Sequence, residues 1–69
     1  MTAYEHLYMF ARLKNIDVAK INDKIDSILK FVNLYSEKNN KVNSYSGGMK
    51  RRLSLAISAI GNPKIILLD

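Results

Sequence analysis

Tyr45-Ser46-Gly47-Gly48-Met49-Lys50-Arg51-Arg52-Leu53-Ser54-Leu55-Ala56, with Asn62-Pro63-Lys64-Ile65-Ile66-Leu67-Leu68-Asp69 a few residues on, is the stretch whose reading decides the fold. Met49, Leu53, Ala56, Ile57 and Ile60 recur at helical spacing, so a helix starts near Ser46-Gly47-Gly48 and stops before Gly61-Asn62-Pro63. After Lys64, four consecutive apolar residues read as a strand buried on both faces, as in a parallel sheet. Such a strand needs neighbours, and no other segment of the chain has strand periodicity. Its partners are expected in sequence outside this stretch. Asp69 then stands at the carboxyl end of the strand, where open α/β sheets bind ligands.

The helix start has chemistry of its own. The first amides of a helix lack internal partners and lie at the positive end of its dipole. Glycines let an anion approach that backbone closely, and a serine hydroxyl adds a further donor. Ser46, Gly47 and Gly48 are therefore a candidate phosphate site. An ordinary N-cap on a flexible loop accounts for the same three residues without a ligand, and many strands end in Asp at a turn. Neither feature alone identifies a function.

Upstream, two further helices are predicted. Thr2 and Glu5 have capping-box spacing, and Tyr4, Leu7, Tyr8 and Ala11 form an apolar stripe widened by Phe10 and Leu13. Lys14-Asn15-Ile16 breaks this pattern. Asp17 caps a second helix reaching about Val32, with Val18, Ile21, Ile25, Ile28, Leu29 and Val32 on one face and most of the charges outside it. Asn33 can adopt the left-handed conformation that ends a helix, which lets Leu34 pack back over the last turn. The span 35–44 reads as a polar loop.

Eleven Lys/Arg against six Asp/Glu give a formal charge of +5, which favours anionic partners in general. Apart from Lys50-Arg51-Arg52 the basic residues are scattered, as on a solvated surface. With no cysteine and one histidine, His6, neither disulfide nor metal staples are available, and an intracellular setting is expected. No apolar run approaches the ~20 residues of a membrane-spanning helix. His6 reads as a surface or boundary residue of the first helix. Tyr4, Tyr8 and Phe10 could stack on bases, but beside Leu7 and Ala11 they read as core or partner contacts.

Taken together, the order and spacing of Ser46-Gly47-Gly48, Lys50 to Ala56, Asn62-Pro63-Lys64 and the strand ending at Asp69 resemble those of ABC ATPases. The signature of that family usually reads Leu-Ser-Gly-Gly-Gln; Tyr45 and Met49 stand here in its first and last places. The run Gly-Gly-Met-Lys-Arg-Arg-Leu-Ser-Leu-Ala resembles most closely the A subfamily, whose members are linked to lipid movement. Thr2-Ala3-Tyr4-Glu5-His6-Leu7 resembles the segment after the Q-loop, so the likeness spans essentially the whole chain.

The resemblance implies a mainly α fragment, about three helices plus one C-terminal strand, of an α/β P-loop NTPase domain. Residues 1–60 would be the helical subdomain with the signature helix, and 64–69 the Walker B strand. It implies that Ser46, Gly47, Gly48 and Met49 form the ATP-binding signature, that Arg52 braces it, and that Asp69 is the Walker B aspartate that helps to hold Mg²⁺. Met49 cannot donate as the usual glutamine amide does. ATP and Mg²⁺ would be cofactors of the complete domain, and a second nucleotide-binding domain and ABC transmembrane domains its partners, with no nucleic acid. The expected location is the cytoplasmic face of a membrane, as part of a membrane protein.

The stretch contains no G-x-x-x-x-G-K-[ST] loop, no catalytic Glu after Asp69 and no switch histidine, so no catalytic residue is assigned and hydrolysis by this chain alone is not expected. Two other readings stand beside the transporter. A soluble ABC-family ATPase shares the signature, and a small basic helical module could bind nucleic acid through Lys50-Arg51-Arg52.

Overall fold

In the computed structural model, residues 1–61 are described. They form three α-helices, α1 (Ala3–Leu13), α2 (Val18–Phe31) and α3 (Gly47–Ile60), each packed against the other two. The strand expected over 65–69, with Asp69, lies outside the described residues. Among the described residues no helix is long and apolar enough to cross a membrane.

The start of α1 is a complete capping box. The Thr2 side chain accepts from the Glu5 amide at 3.1 Å, and Glu5 accepts from the Thr2 amide at 2.8 Å. The bond from the Thr2 amide holds the Glu5 carboxyl below the usual carboxylate range. α2 opens on Asp17, whose carboxylate accepts from the Ala19 amide at 3.0 Å.

Both helices end in the same way. Asn33 has φ 60°, its amide donates to the Lys30 carbonyl, and the Leu34 amide reaches back to the Leu29 carbonyl at 2.8 Å. Leu34 is fully buried, as its sequence position predicts. Asn15 also has φ 60°, with Ile16 bonded back to Ala11, so the break after α1 is a second Schellman turn. Asparagine tolerates this left-handed backbone better than most residues.

The core is built chiefly on α2. Ile21, Ile25, Ile28 and Leu29 are fully buried and meet Ala3, Leu7 and Ala11 of α1 and Leu53, Ala56, Ala59 and Ile60 of α3. Alanines on α1 and α3 let the helices approach, and each buried Leu or Ile contributes roughly 1.5–3 kcal/mol. Tyr4, Tyr8 and Phe10 are half-buried and pack on this core rather than forming an open platform. Two residues expected on apolar faces lie outside it. Leu13 is 68% exposed because it sits about 200° around the helix from the buried Ala11. Val18, in the first turn of α2, is 55% exposed, and the buried line begins one turn later at Ile21.

The polar span between α2 and α3 is more ordered than its composition suggests. It contains two short 3₁₀ turns, Tyr35–Glu37 and Val42–Ser44, and Lys41 makes an isolated antiparallel bridge to Thr2. The Val42 amide donates to the Met1 carbonyl at 2.9 Å and the Tyr4 amide to the Lys38 carbonyl at 3.2 Å. These bonds fasten the span to the start of α1, and with it the approach to α3.

Candidate functional site

Ser46 is the N-cap of α3, in extended conformation, and its Oγ accepts from the Met49 amide at 3.2 Å. A serine side chain can satisfy only some of the orphan donors of a helix start. Among the described residues the Gly47 and Gly48 amides have no backbone acceptor in the preceding turn, and no acid lies in the first turn of α3. Ser46, Gly47 and Gly48 are all exposed.

Neither glycine is required by the chain itself. Both lie in the helix, and neither has a positive φ. A β-carbon at Gly47 would stand 3.9 Å from Arg51 Nη2, and one at Gly48 would stand 3.8 Å from Arg52 Nη1, ordinary van der Waals distances to the ends of flexible side chains. Glycine in a helix costs about 0.5–1 kcal/mol relative to alanine. The sequence therefore carries two destabilising residues where internal packing would accept alanine, and the result is bare backbone at the tip.

The same distances show where the arginines lie. Helical side chains lean toward the N-terminus, so Arg51 and Arg52 reach back over the glycines four positions before them. Two guanidinium groups thus flank two unpartnered amides and a serine hydroxyl. Basic residues near a helix start work against its dipole by ~0.3–1 kcal/mol each. For an incoming anion the arrangement is favourable in every part: amide donors, a hydroxyl, positive charge and an unobstructed approach.

The sequence-predicted residues are distributed as follows. Ser46, Gly47, Gly48 and Arg52 come together at the tip of α3. Met49 lies in the same turn, but its side chain is half-buried and packs against the core. Asp69 lies outside the described residues. Arg51, part of the basic run Lys50-Arg51-Arg52, joins the residues at the tip, and its spacing of four from Gly47 is the signal that places it there. His6 is half-buried, with Nδ1 3.0 Å from the Thr2 carbonyl oxygen, one turn into α1.

The donors at the tip suit phosphate oxygens and offer nothing to a cation. Among the described residues no cluster of three or more His, Cys, Asp or Glu side chains could hold a metal ion. The fit is to an anion rather than to a metal ion.

Comparison with known proteins gives the family. The family model described as ABC transporter matches residues 1–69. ABC transporter A family member 1 of Dictyostelium discoideum is 51% identical over 69 residues, covering 100% of this chain and 8% of that protein. ABC transporter A family member 7 of Arabidopsis thaliana is 48% identical over 71 residues, with the same coverage of 100% and 8%. The chain thus spans about 8% of the length of these curated relatives. No solved structure matches it. The match along the full chain and the identity of about half its residues to A-family members show that it belongs to the ABC transporter family, as part of an A-subfamily ATP-binding domain.

Proposed function

We propose that this chain supplies the signature half of a composite ATP site in an ABC transporter of lipid-export or lipid-translocation type. Ser46, Gly47 and Gly48 present their donors to the γ-phosphate of an ATP held on the P-loop of a second nucleotide-binding domain, and Arg52 braces that tip. Asp69, at the end of the Walker B strand, helps to hold the Mg²⁺ of this chain's own domain. When bound, the nucleotide's phosphates would supply the anionic charge that joins the two domains, and Mg²⁺ would neutralise part of it. The helical unit of residues 1–60, with the strand over 64–69, belongs to an α/β P-loop NTPase domain at the cytoplasmic face of a membrane, coupled to transmembrane domains.

One observation carries this reading: two glycines keep the start of α3 bare although the chain has room for β-carbons at both positions. Their value must come from something outside that approaches the backbone. The A-family relatives support ATP as that group and transport as the work it drives. Lipid movement rests on the likeness of the Gly47 to Ala56 run to the A subfamily.

The test is Gly48→Asp in the full-length protein that carries this chain. A carboxylate there faces the γ-phosphate and fills the approach. The added carboxylate repels the phosphate and blocks the amides, an effect comparable to deleting preorganised donors, which commonly costs 10²–10³ in rate. ATP turnover is expected to fall about 100-fold or more, with the melting temperature of the domain little changed. Wild-type turnover by Gly48→Asp would remove the signature assignment.

A further inference from the structure

The residue before the cap is held unusually firmly for a loop position. Tyr45 is 5% exposed and belongs to the core cluster. Its hydroxyl donates to the Glu37 carbonyl at 2.5 Å, and its amide donates to the Val42 carbonyl at 2.9 Å. The chain turns from the 35–44 span into α3 at this point, so ring, hydroxyl and amide fix the direction from which Ser46 enters the helix. Burial, with the Glu37 carboxylate adding to it, pushes the Tyr45 phenol above its ordinary value.

The span that accepts this bond is itself anchored. The Lys38 carbonyl accepts from the Tyr4 amide at 3.2 Å, and Lys38 Nζ lies 3.6 Å from Asp26 Oδ1 on α2 and 4.3 Å from the centre of the Tyr35 ring. The Tyr45 hydroxyl thereby links the phosphate-facing tip to both other helices. Leucine, usual at this position in the signature, is smaller than the buried tyrosine and could not make the bond.

We infer that Tyr45 is a positioning residue for ATP turnover: through its hydroxyl bond to Glu37 it sets where the Ser46, Gly47 and Gly48 donors stand relative to the rest of the helical unit. This inference rests on the signature reading proposed above. Tyr45 touches no phosphate and acts only through the residue that follows it. Hydrogen bonds to phosphate weaken steeply with distance and angle, so a small shift of the tip reduces turnover without altering nucleotide capture by the opposing P-loop.

The experiment compares Tyr45→Phe, Tyr45→Leu and Gly48→Asp in the full-length protein, measuring kcat and KM for ATP per folded molecule together with the melting temperature. Loss of one hydrogen bond corresponds to about 3- to 10-fold in kcat. Both Tyr45 variants are expected to show that fall, with KM within about 2-fold of wild type, as a positional effect requires. A wild-type kcat in Tyr45→Phe overturns the inference, as does a fall accounted for by lost folded protein or one matched by a rise in KM. If Gly48→Asp abolishes turnover while Tyr45→Phe does not alter it, only the positioning role fails. If Gly48→Asp is also active, the signature reading fails with it.

Discussion

The two ends of this helical unit start their helices in opposite ways. At α1, Thr2 and Glu5 satisfy one another's backbone donors, and the acid lies in the first turn where the dipole favours it. At α3, Ser46 satisfies one donor, two glycines follow, and after Met49 come three basic residues, with no acid in the first turn. The first start is closed and stabilises the fold. The second remains open: its serine cap is good, but its glycines and its basic residues without an acid make it the poorer of the two. The contrast teaches where to look for function: local rules are broken where an outside group completes the structure.

Single-residue changes sharpen the comparison. Ser46→Ala and Thr2→Ala each remove a cap and should each destabilise the domain by about 1 kcal/mol. They should differ in turnover. On the proposed signature reading, Ser46→Ala also removes a phosphate donor and is expected to lower kcat roughly 10-fold or more per folded molecule. Thr2→Ala should leave kcat per folded molecule near wild type. Steady-state ATPase assays normalised by a melting measurement separate the two; equal kcat losses would erase the functional distinction between the helix starts.

The smallest expected effect concerns pH. Glu5 has its carboxyl pKa lowered mainly by the Thr2 amide, so the folded state binds that proton more weakly than the unfolded chain. The associated stability is present above the ordinary carboxylate range and is lost as pH falls through the lowered value. Melting temperature should therefore rise from acid to neutral pH slightly more steeply in wild type than in Glu5→Gln. Identical slopes would show that the closed start of α1 owes nothing to the charge of Glu5.

Much of this architecture is legible in the sequence because its signals are local. Thr2 with Glu5, Asp17, Asn33 with Leu34, and Ser46-Gly47-Gly48 each announce a helix end through backbone chemistry within a few residues. Apolar periodicity finds the buried faces of the helices except at the margins of α1 and α2. Leu13 and Val18 read as core because periodicity cannot say where a neighbouring helix stops covering a face.

The span 35–44 was the least legible. Its order comes from backbone carbonyls and amides of distant residues, such as Met1 with Val42 and Glu37 with the Tyr45 hydroxyl, and those groups carry no sequence label. Arg51 was hidden for a different reason: its approach to Gly47 follows from the backward lean of helical side chains rather than from residue type. A nucleotide is implied by the family likeness of Tyr45 to Ala56 and not by composition.

The most direct measurement is made on the double variant Gly47→Ala, Gly48→Ala in the full-length protein, recording stability and ATP turnover together. The chain has room for both methyl groups, so the ATP-binding domain should become more stable, by about 1 kcal/mol. Turnover should fall about 10-fold or more, because the methyl groups obstruct the approach to the amides. Unchanged turnover with raised stability would contradict the claim that an outside anion is what keeps this helix start bare.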